Sequence, residues 1–242
     1  MILRGIRTRI HLLASRTHKW LALLLGVQLL LWFASGAVMS FFPIDRIHGD
    51  HLVDRKTVEP LSSGTKITTF DRFANGFDEP IESISMHMLL GRTVAEVSGG
   101  GKVALFDATS GKQLSPIGSS TAIAVARKAW RGPANATATT EAVANLSTEY
   151  RGSLPAWRVS FNDPDNTRVF VDARNGRIAA VRTGTWRFYD FVWGLHIMDW
   201  KNHENFNSPW LLGFAIGGLM LWIGGATLLA LRWPRRRRRK PA

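Results

Sequence analysis

All eighteen acidic residues of this 242-residue chain fall between Asp45 and Glu204, and the two ends outside that stretch carry only basic charge beside long apolar runs. A soluble domain mixes both signs over its surface, so this segregation points to a chain that crosses a membrane twice. Of the 31 Lys and Arg, twelve sit in the ends: Arg4, Arg7, Arg9, Arg16 and Lys19 before the first apolar run, and Arg232, residues 235–239 and Lys240 at the end of the second. Nineteen cations then face eighteen anions in the middle, so the net charge of +13 belongs almost wholly to the tails. Basic flanks stay on the cytoplasmic side, which leads us to expect both termini inside and the central segment outside. The same distribution argues against nucleic acid as a partner, because the excess charge is not spread over a folded surface. The expected partner of the tails is the lipid bilayer, where each Lys or Arg near anionic headgroups contributes about 1 kcal/mol.

Residues 20–42 carry no charged side chain, a run of 23 residues. As a helix such a run extends about 35 Å, enough to cross a bilayer. Residues 209–233 form the second apolar run, closed by Arg232, with Trp210 and Trp233 where interfacial aromatics sit and Pro209 suited to a first helical turn. Ala34, Ser35, Gly36 and Ala37 would also suit a cleaved leader, but the apolar character resumes through Val38, Met39, Phe41 and Phe42, which favours a retained anchor. Small residues recur four apart at Ala22/Gly26, Gly36/Ser40 and Gly213/Gly217, a spacing that allows close helix approach within the chain or with a second copy. Glycine is also simply common in membrane helices.

The organisation expected is therefore a basic cytoplasmic tail (1–19), a first span (20–42), an exterior domain (43–185), an amphipathic interfacial helix and linker (186–208), a second span (209–233) and a second basic tail (234–242). The chain has no cysteine, which excludes disulfides, thiolate metal sites and a cysteine nucleophile. An internal repeat organises the exterior part. Residues 103–112 match residues 168–177 at an offset of 65, with Asp107/Asp172, Ala108/Ala173, Gly111/Gly176 and Lys112/Arg177 in register. Each copy reads as strand, tight turn, strand, the Asp bonding its own turn and the Gly supplying positive φ. Residues 157–161 alternate as a further strand, residues 121–130 read as a short helix that Ser120 caps, residues 67–77 as a weaker helix and residues 93–97 as a strand. Residues 132–149, rich in Ala, Thr and Asn, read as a loop or a poorly packed helix. A helix followed by a small antiparallel sheet, used twice over about 65–117 and 119–182, makes the exterior domain α+β.

Arg-Thr-His-Lys-Trp at 16–20 leading into a span, paired strand units ending in Asp-Ala-x-x-Gly, and Trp-Gly-Leu-His at 193–196 ahead of the last span resemble the PepSY-associated transmembrane proteins of bacteria, over nearly the whole chain. The resemblance implies a bacterial inner-membrane protein: two transmembrane α-helices flanking an α+β periplasmic domain built from two PepSY-like repeats. Larger members of that family have about four spans, and some are ferric-siderophore reductases that hold haem b through histidines of their spans. Others are known only as PepSY proteins, a module suggested to bind or restrain peptidases. Two functional readings follow. One is a haem b-binding electron-transfer component for iron uptake, acting as a homodimer or with a partner membrane subunit on a siderophore-iron complex. The other is a non-enzymatic anchored module that binds a periplasmic protein or regulates a peptidase.

His18 and His196 occupy the positions of the family's histidine motifs, so the resemblance makes them the candidate metal ligands, with Trp193 and Trp200 packing the outer haem. A neutral imidazole is a suitable axial ligand, tuned through its other nitrogen. Trp186, Tyr189, Trp193, His196 and Trp200 follow one another at steps of three and four, which puts them on one helical face that would lie on the outer membrane surface or line a haem edge. The plainer readings are that His18, at the cytoplasmic edge of its span, belongs to the basic flank as His11 does, and that His196 is an interfacial histidine. Set near opposite faces of a core about 30 Å thick, the two cannot share one iron, so each needs a second histidine from a symmetry mate or partner. Other clusters point elsewhere. His48 and His51 lie in a polar stretch with Asp45, Asp50 and Asp54 that suits a solvated loop, and Met86-His87-Met88 has soft copper ligands but suits ordinary strand packing. Residues 99–102, Gly-Gly-Gly-Lys, lack the Ser or Thr and the earlier Gly of a phosphate loop and suit a hairpin turn; dinucleotide fingerprint, nucleophile elbow and zincin motif are all absent, and no catalytic residue is singled out.

Overall fold

The computed structural model describes residues 2–61 and 63–232, the side chains of residues 2–5 and 7 excepted. Trp233 and the expected basic tail 234–242 lie outside the described residues. Two helices are long and apolar enough to cross a membrane, within Thr8–Ser40 and Pro209–Arg232. Helix α1 (Ile2–Ser40) begins well before Trp20, so the first basic stretch is helical and continuous with the span. It stops short of Pro43, which lacks the N–H an α-helix would need. Helix α6 (Pro209–Arg232) opens on proline, as expected, and Ser208 caps it by accepting the Leu211 N–H at 3.2 Å. Neither helix has the surroundings of a soluble core. Helix α6 buries none of its residues, and Leu23, Leu24, Phe33 and Trp222 are each at least 70 % exposed. Apolar surface on this scale requires a lipid solvent.

Contacts divide the chain into two compact units, residues 1–41 with 190–242, and residues 42–189. In the first, α1 packs along α6. Gly217 faces Leu25, and a Cβ built there would stand 2.8 Å from that side chain, so this glycine sets the helix spacing. Gly26 and Gly213 face nothing within 4 Å.

The second unit is α+β. After the single turn α2 (Ile44–Ile47) come α3 (Phe70–Ala74) and a meander of β1 (Ser83–Leu89), β2 (Arg92–Gly99) and β3 (Lys102–Asp107); α4 (Ser119–Ala129) then precedes a second meander of β4 (Ala138–Val143), β5 (Ala156–Phe161), β6 (Arg168–Asp172) and β7 (Ile178–Arg182). Both sheets are antiparallel throughout. The glycine run at 99–101 makes the β2–β3 turn, with Gly100 and Gly101 at positive φ. The Asp turns repeat in their chemistry: Asp107 accepts the Thr109 N–H and Asp172 the equivalent Arg174 N–H, while Gly111 and Gly176 sit at φ of 71° and 72°.

Three details differ from the sequence reading. Helix α4 is preceded by Gly118 and begins at Ser119, without a side-chain cap from Ser120. Residues 138–143 are the edge strand β4 and not part of a loop. In the first repeat the strand expected after the Asp turn is reduced to one bridge, Gln113 to Phe106. Ser115 Oγ takes the Leu105 N–H and Pro116 has no donor, so the ladder stops there.

Alternation along the strands divides the core. Val94 and Leu105 of the first sheet join Val125 and Ala126 of α4 and Val159, Val169 and Val171 of the second, so the two repeats share a central core. The opposite face of the first sheet, through Ala95, Val97 and Phe106, packs on Phe73 and Phe77. That of the second packs Phe170 and Ala180 on Tyr150. Burying each Val or Phe of this set contributes about 1.5–3 kcal/mol.

Helix α5 (Gly184–Ile197) links the units and ends where Met198 takes a positive φ of 56°. The expected five-residue aromatic face therefore breaks: Trp200 lies beyond the helix and is 64 % exposed. Trp186, expected on that aromatic face, is buried beneath the Arg182 guanidinium, and the exposed apolar residues of α5 are Phe188 and Phe191.

Candidate functional site

His18 lies on α1 between the cations Arg16 and Lys19, yet its ring faces α6. Its Nδ1 is 3.0 Å from the carbonyl oxygen of Leu221, which can only accept, so the ring donates through Nδ1. Gly224 and Gly225 make the space. A Cβ at Gly225 would stand 3.1 Å from His18 Cε1, closer than most neighbours tolerate. Leu221 is the thirteenth residue of a 24-residue helix, so His18 sits opposite the middle of α6. Helix α1 starts well before it, so residues 8–17 add nearly three helical turns ahead of His18.

His196 closes α5 against the other end of α1. Its Nδ1 is 2.9 Å from Ser35 Oγ, and that hydroxyl spends its proton on the Leu31 carbonyl at 2.6 Å, leaving oxygen to accept from the imidazole. Gly36 lies alongside, 3.6 Å from His196 Cε1 when a Cβ is built. A neutral imidazole that donates through Nδ1 keeps its lone pair on Nε2, so both histidines present the same free nitrogen. That is the tautomer an axial metal ligand needs, with the second nitrogen oriented by a chain acceptor. Seventeen residues of α1 separate His18 from Ser35, about 26 Å of helix, so the two rings serve different places.

Trp193 and Trp200 do not join them. Trp193 Nε1 donates to the carbonyl of His203 at 3.1 Å and its ring meets Phe206 edge-on at 5.5 Å, while Trp200 faces outward. Among the described residues no group of three or more His, Cys, Asp or Glu could hold a metal ion. The Met86-His87-Met88 triplet is split by strand pleating: Met86 packs on the first sheet's outer core, and Met88 Sδ receives the Thr93 hydroxyl. Asp50, between His48 and His51, is engaged by Lys56 and Arg55, which hold its carboxyl below the usual range.

A third histidine escaped the sequence reading. His203, at φ 57°, places Nδ1 2.6 Å from the Asp190 carboxylate across the connection between α5 and α6. Its ring lies so close over Gly194 that a Cβ there would stand 2.6 Å from it. Asp199 braces the same loop by accepting N–H groups of Lys201, Asn202, Glu204 and Asn205, the last two at 3.0 Å, and these donors hold its carboxyl well below the usual range. No signal in the sequence announced it, because Gly194 and His203 meet only in the fold.

Comparison with known proteins bears on the whole chain. The family described as the PepSY-associated TM region matches residues 15–242. No curated protein and no solved structure matches it.

Proposed function

The chain belongs to the family of PepSY-associated transmembrane regions and is a membrane protein, and on that footing we propose that it is a haem b-carrying electron-transfer component of a bacterial inner membrane, with His18 and His196 each offering Nε2 to one iron. One observation, made twice, supports this: each histidine of the family motif donates Nδ1–H to an acceptor of its own chain beside a glycine and keeps Nε2 free. Haem b in such a site supplies reversible one-electron chemistry. The chain's own residues hold and orient: the Leu221 carbonyl and Gly224–Gly225 fix the His18 ring, Ser35 fixes that of His196, and the apolar spans exclude water. Because His18 and Ser35, the anchor of His196, lie about 26 Å apart along α1, each iron takes its second ligand from elsewhere, which makes a homodimer or a partner subunit part of the proposal. The basic flanks support an orientation with both termini in the cytoplasm and the α+β domain in the periplasm, where a siderophore-bound ferric ion would be the acceptor.

The test is an oxidised-minus-reduced absorption spectrum of the detergent-purified protein expressed with haem supply. A Soret band with sharp α and β bands, reduced by about half in His18→Ala and in His196→Ala, is expected. Protein that stays colourless after haem reconstitution overturns the reading. A non-enzymatic anchored module, binding a periplasmic protein or regulating a peptidase, would then stand; a cleft of about 480 Å³ in the α+β domain favours that second reading.

A further inference from the structure

The cleft lies where the two repeats meet. Its walls come from the tip of the β1–β2 hairpin, the last turn of α4, the β6–β7 turn and the extended segment 54–59, and its volume is within the range of small-ligand sites. Leu89, Val125 and Ile178 make part of the wall apolar. Four cations line it, Arg55, Lys128, Arg131 and Arg177, against two carboxylates, Asp54 and Glu59. Those two pair with Arg131 and Lys128, whereas the partners of Arg55 and Arg177, Asp50 and Glu96, stand outside the lining. The lining itself is thus cationic by two charges.

His87 gives the second, independent sign. The Arg177 guanidinium can only donate, and its Nη2 is 3.4 Å from His87 Nδ1, so Nδ1 accepts and the imidazole proton resides on Nε2. That Nε2–H is buried and has no acceptor among the described residues. A buried donor without an acceptor is rare in a folded protein, and an absent ligand oxygen is one physical reason for it. The outer wall can yield: Val58 is 84 % exposed in a segment without regular structure, tethered by the solvent-exposed pair of Glu59 with Lys128.

We propose that this cleft binds a small amphipathic carboxylate, its apolar body against Leu89, Val125 and Ile178 and its anionic group accepting from His87 Nε2 and Arg177. The site is independent of haem, so its test and the spectral test above fail separately. Full-length protein in nanodiscs, labelled with an isotope at histidine nitrogen, is titrated with phenylacetate and with the isosteric neutral phenylacetamide, followed by calorimetry and by the His87 Nε2 resonance. Saturable binding of phenylacetate that shifts that resonance, with phenylacetamide weaker by about tenfold or more, is expected. His87→Phe, which keeps the ring and removes the donor, and Arg177→Gln should each weaken phenylacetate by about tenfold. Absence of saturable heat, equal binding of the two probes, or unchanged affinity in His87→Phe overturns the proposal. Should Arg177→Gln unfold, the comparison of the two probes on the unaltered chain still decides it.

Discussion

Glu149 concentrates the electrostatics of the α+β domain in one side chain. Its carboxylate accepts from Arg168 at 2.8 and 2.9 Å and from Arg187 at 2.8 Å, tying the loop before β5 to β6 and to the start of α5. Burial alone would raise its pKa, but the two guanidinium groups outweigh burial and hold it below the ordinary value of 4.5. The unfolded chain takes up that proton near 4.5 and the folded chain only at lower pH. The stabilisation is therefore complete above 4.5 and is lost as pH falls through the depressed folded value. Since the arginines are 36 and 29 % exposed, Glu149→Gln should cost about 1–3 kcal/mol at neutral pH, read as a lower thermal midpoint whose deficit shrinks in acid. Glycines give a second test. Gly194→Ala drives a methyl into the His203 ring and should cost about 1–3 kcal/mol and open residues 198–207 to protease. Gly213→Ala meets nothing within 4 Å and should leave both readouts unchanged. Neither glycine's role was legible in the sequence. The small-residue spacing marked Gly213 with Gly217, but only Gly217 is needed for packing, because spacing reveals which residues share a face and not which face has a neighbour.

Elements were legible wherever local chemistry decides the backbone. The Asp-Ala-x-x-Gly turns declare themselves because carboxylate and glycine act within five residues, and the triple glycine at the β2–β3 tip does so for the same reason. Strand β4 did not. Its sequence Ala-Thr-Thr-Glu-Ala-Val has little apolar alternation, and it is an edge strand with a mostly open face, held by pairing with β5, so its cause lies in another segment. Helix α5 was recognised by its aromatic period, but its end was not, since Met198 adopts a conformation that residue type alone does not announce. The division of the core into a shared layer and two outer layers carries its own prediction. Phe106 packs edge-on to Phe73 at 5.8 Å within the outer layer of the first sheet. Phe106→Ala should cost about 3–5 kcal/mol and speed amide exchange in β1, β2 and β3. Equal acceleration in β7 would mean that the outer layers are not separate.

At the scale of the whole molecule, the charge distribution and the exposed apolar helices state one constraint in two forms. Leucines and aromatics more than two-thirds exposed along α1 and α6 can be stable only in lipid, and anions are absent from both helices and from the tails beside them. An insertion with the α+β domain inside would carry the basic flanks outward, against the bias that Lys and Arg impose, so the domain should face outward. The histidine geometry does not decide this, because a ring that donates to a carbonyl does so in either orientation. The cysteine-free sequence allows a clean measurement, since any single cysteine is the only thiol in the chain. Thr109→Cys, in the exposed turn after β3, should react with a membrane-impermeant maleimide on intact spheroplasts. Thr8→Cys, near the start of α1, should react only after permeabilisation. The reverse pattern would invert the topology and remove the periplasmic acceptor from the proposed reaction, while leaving both histidine arrangements untouched.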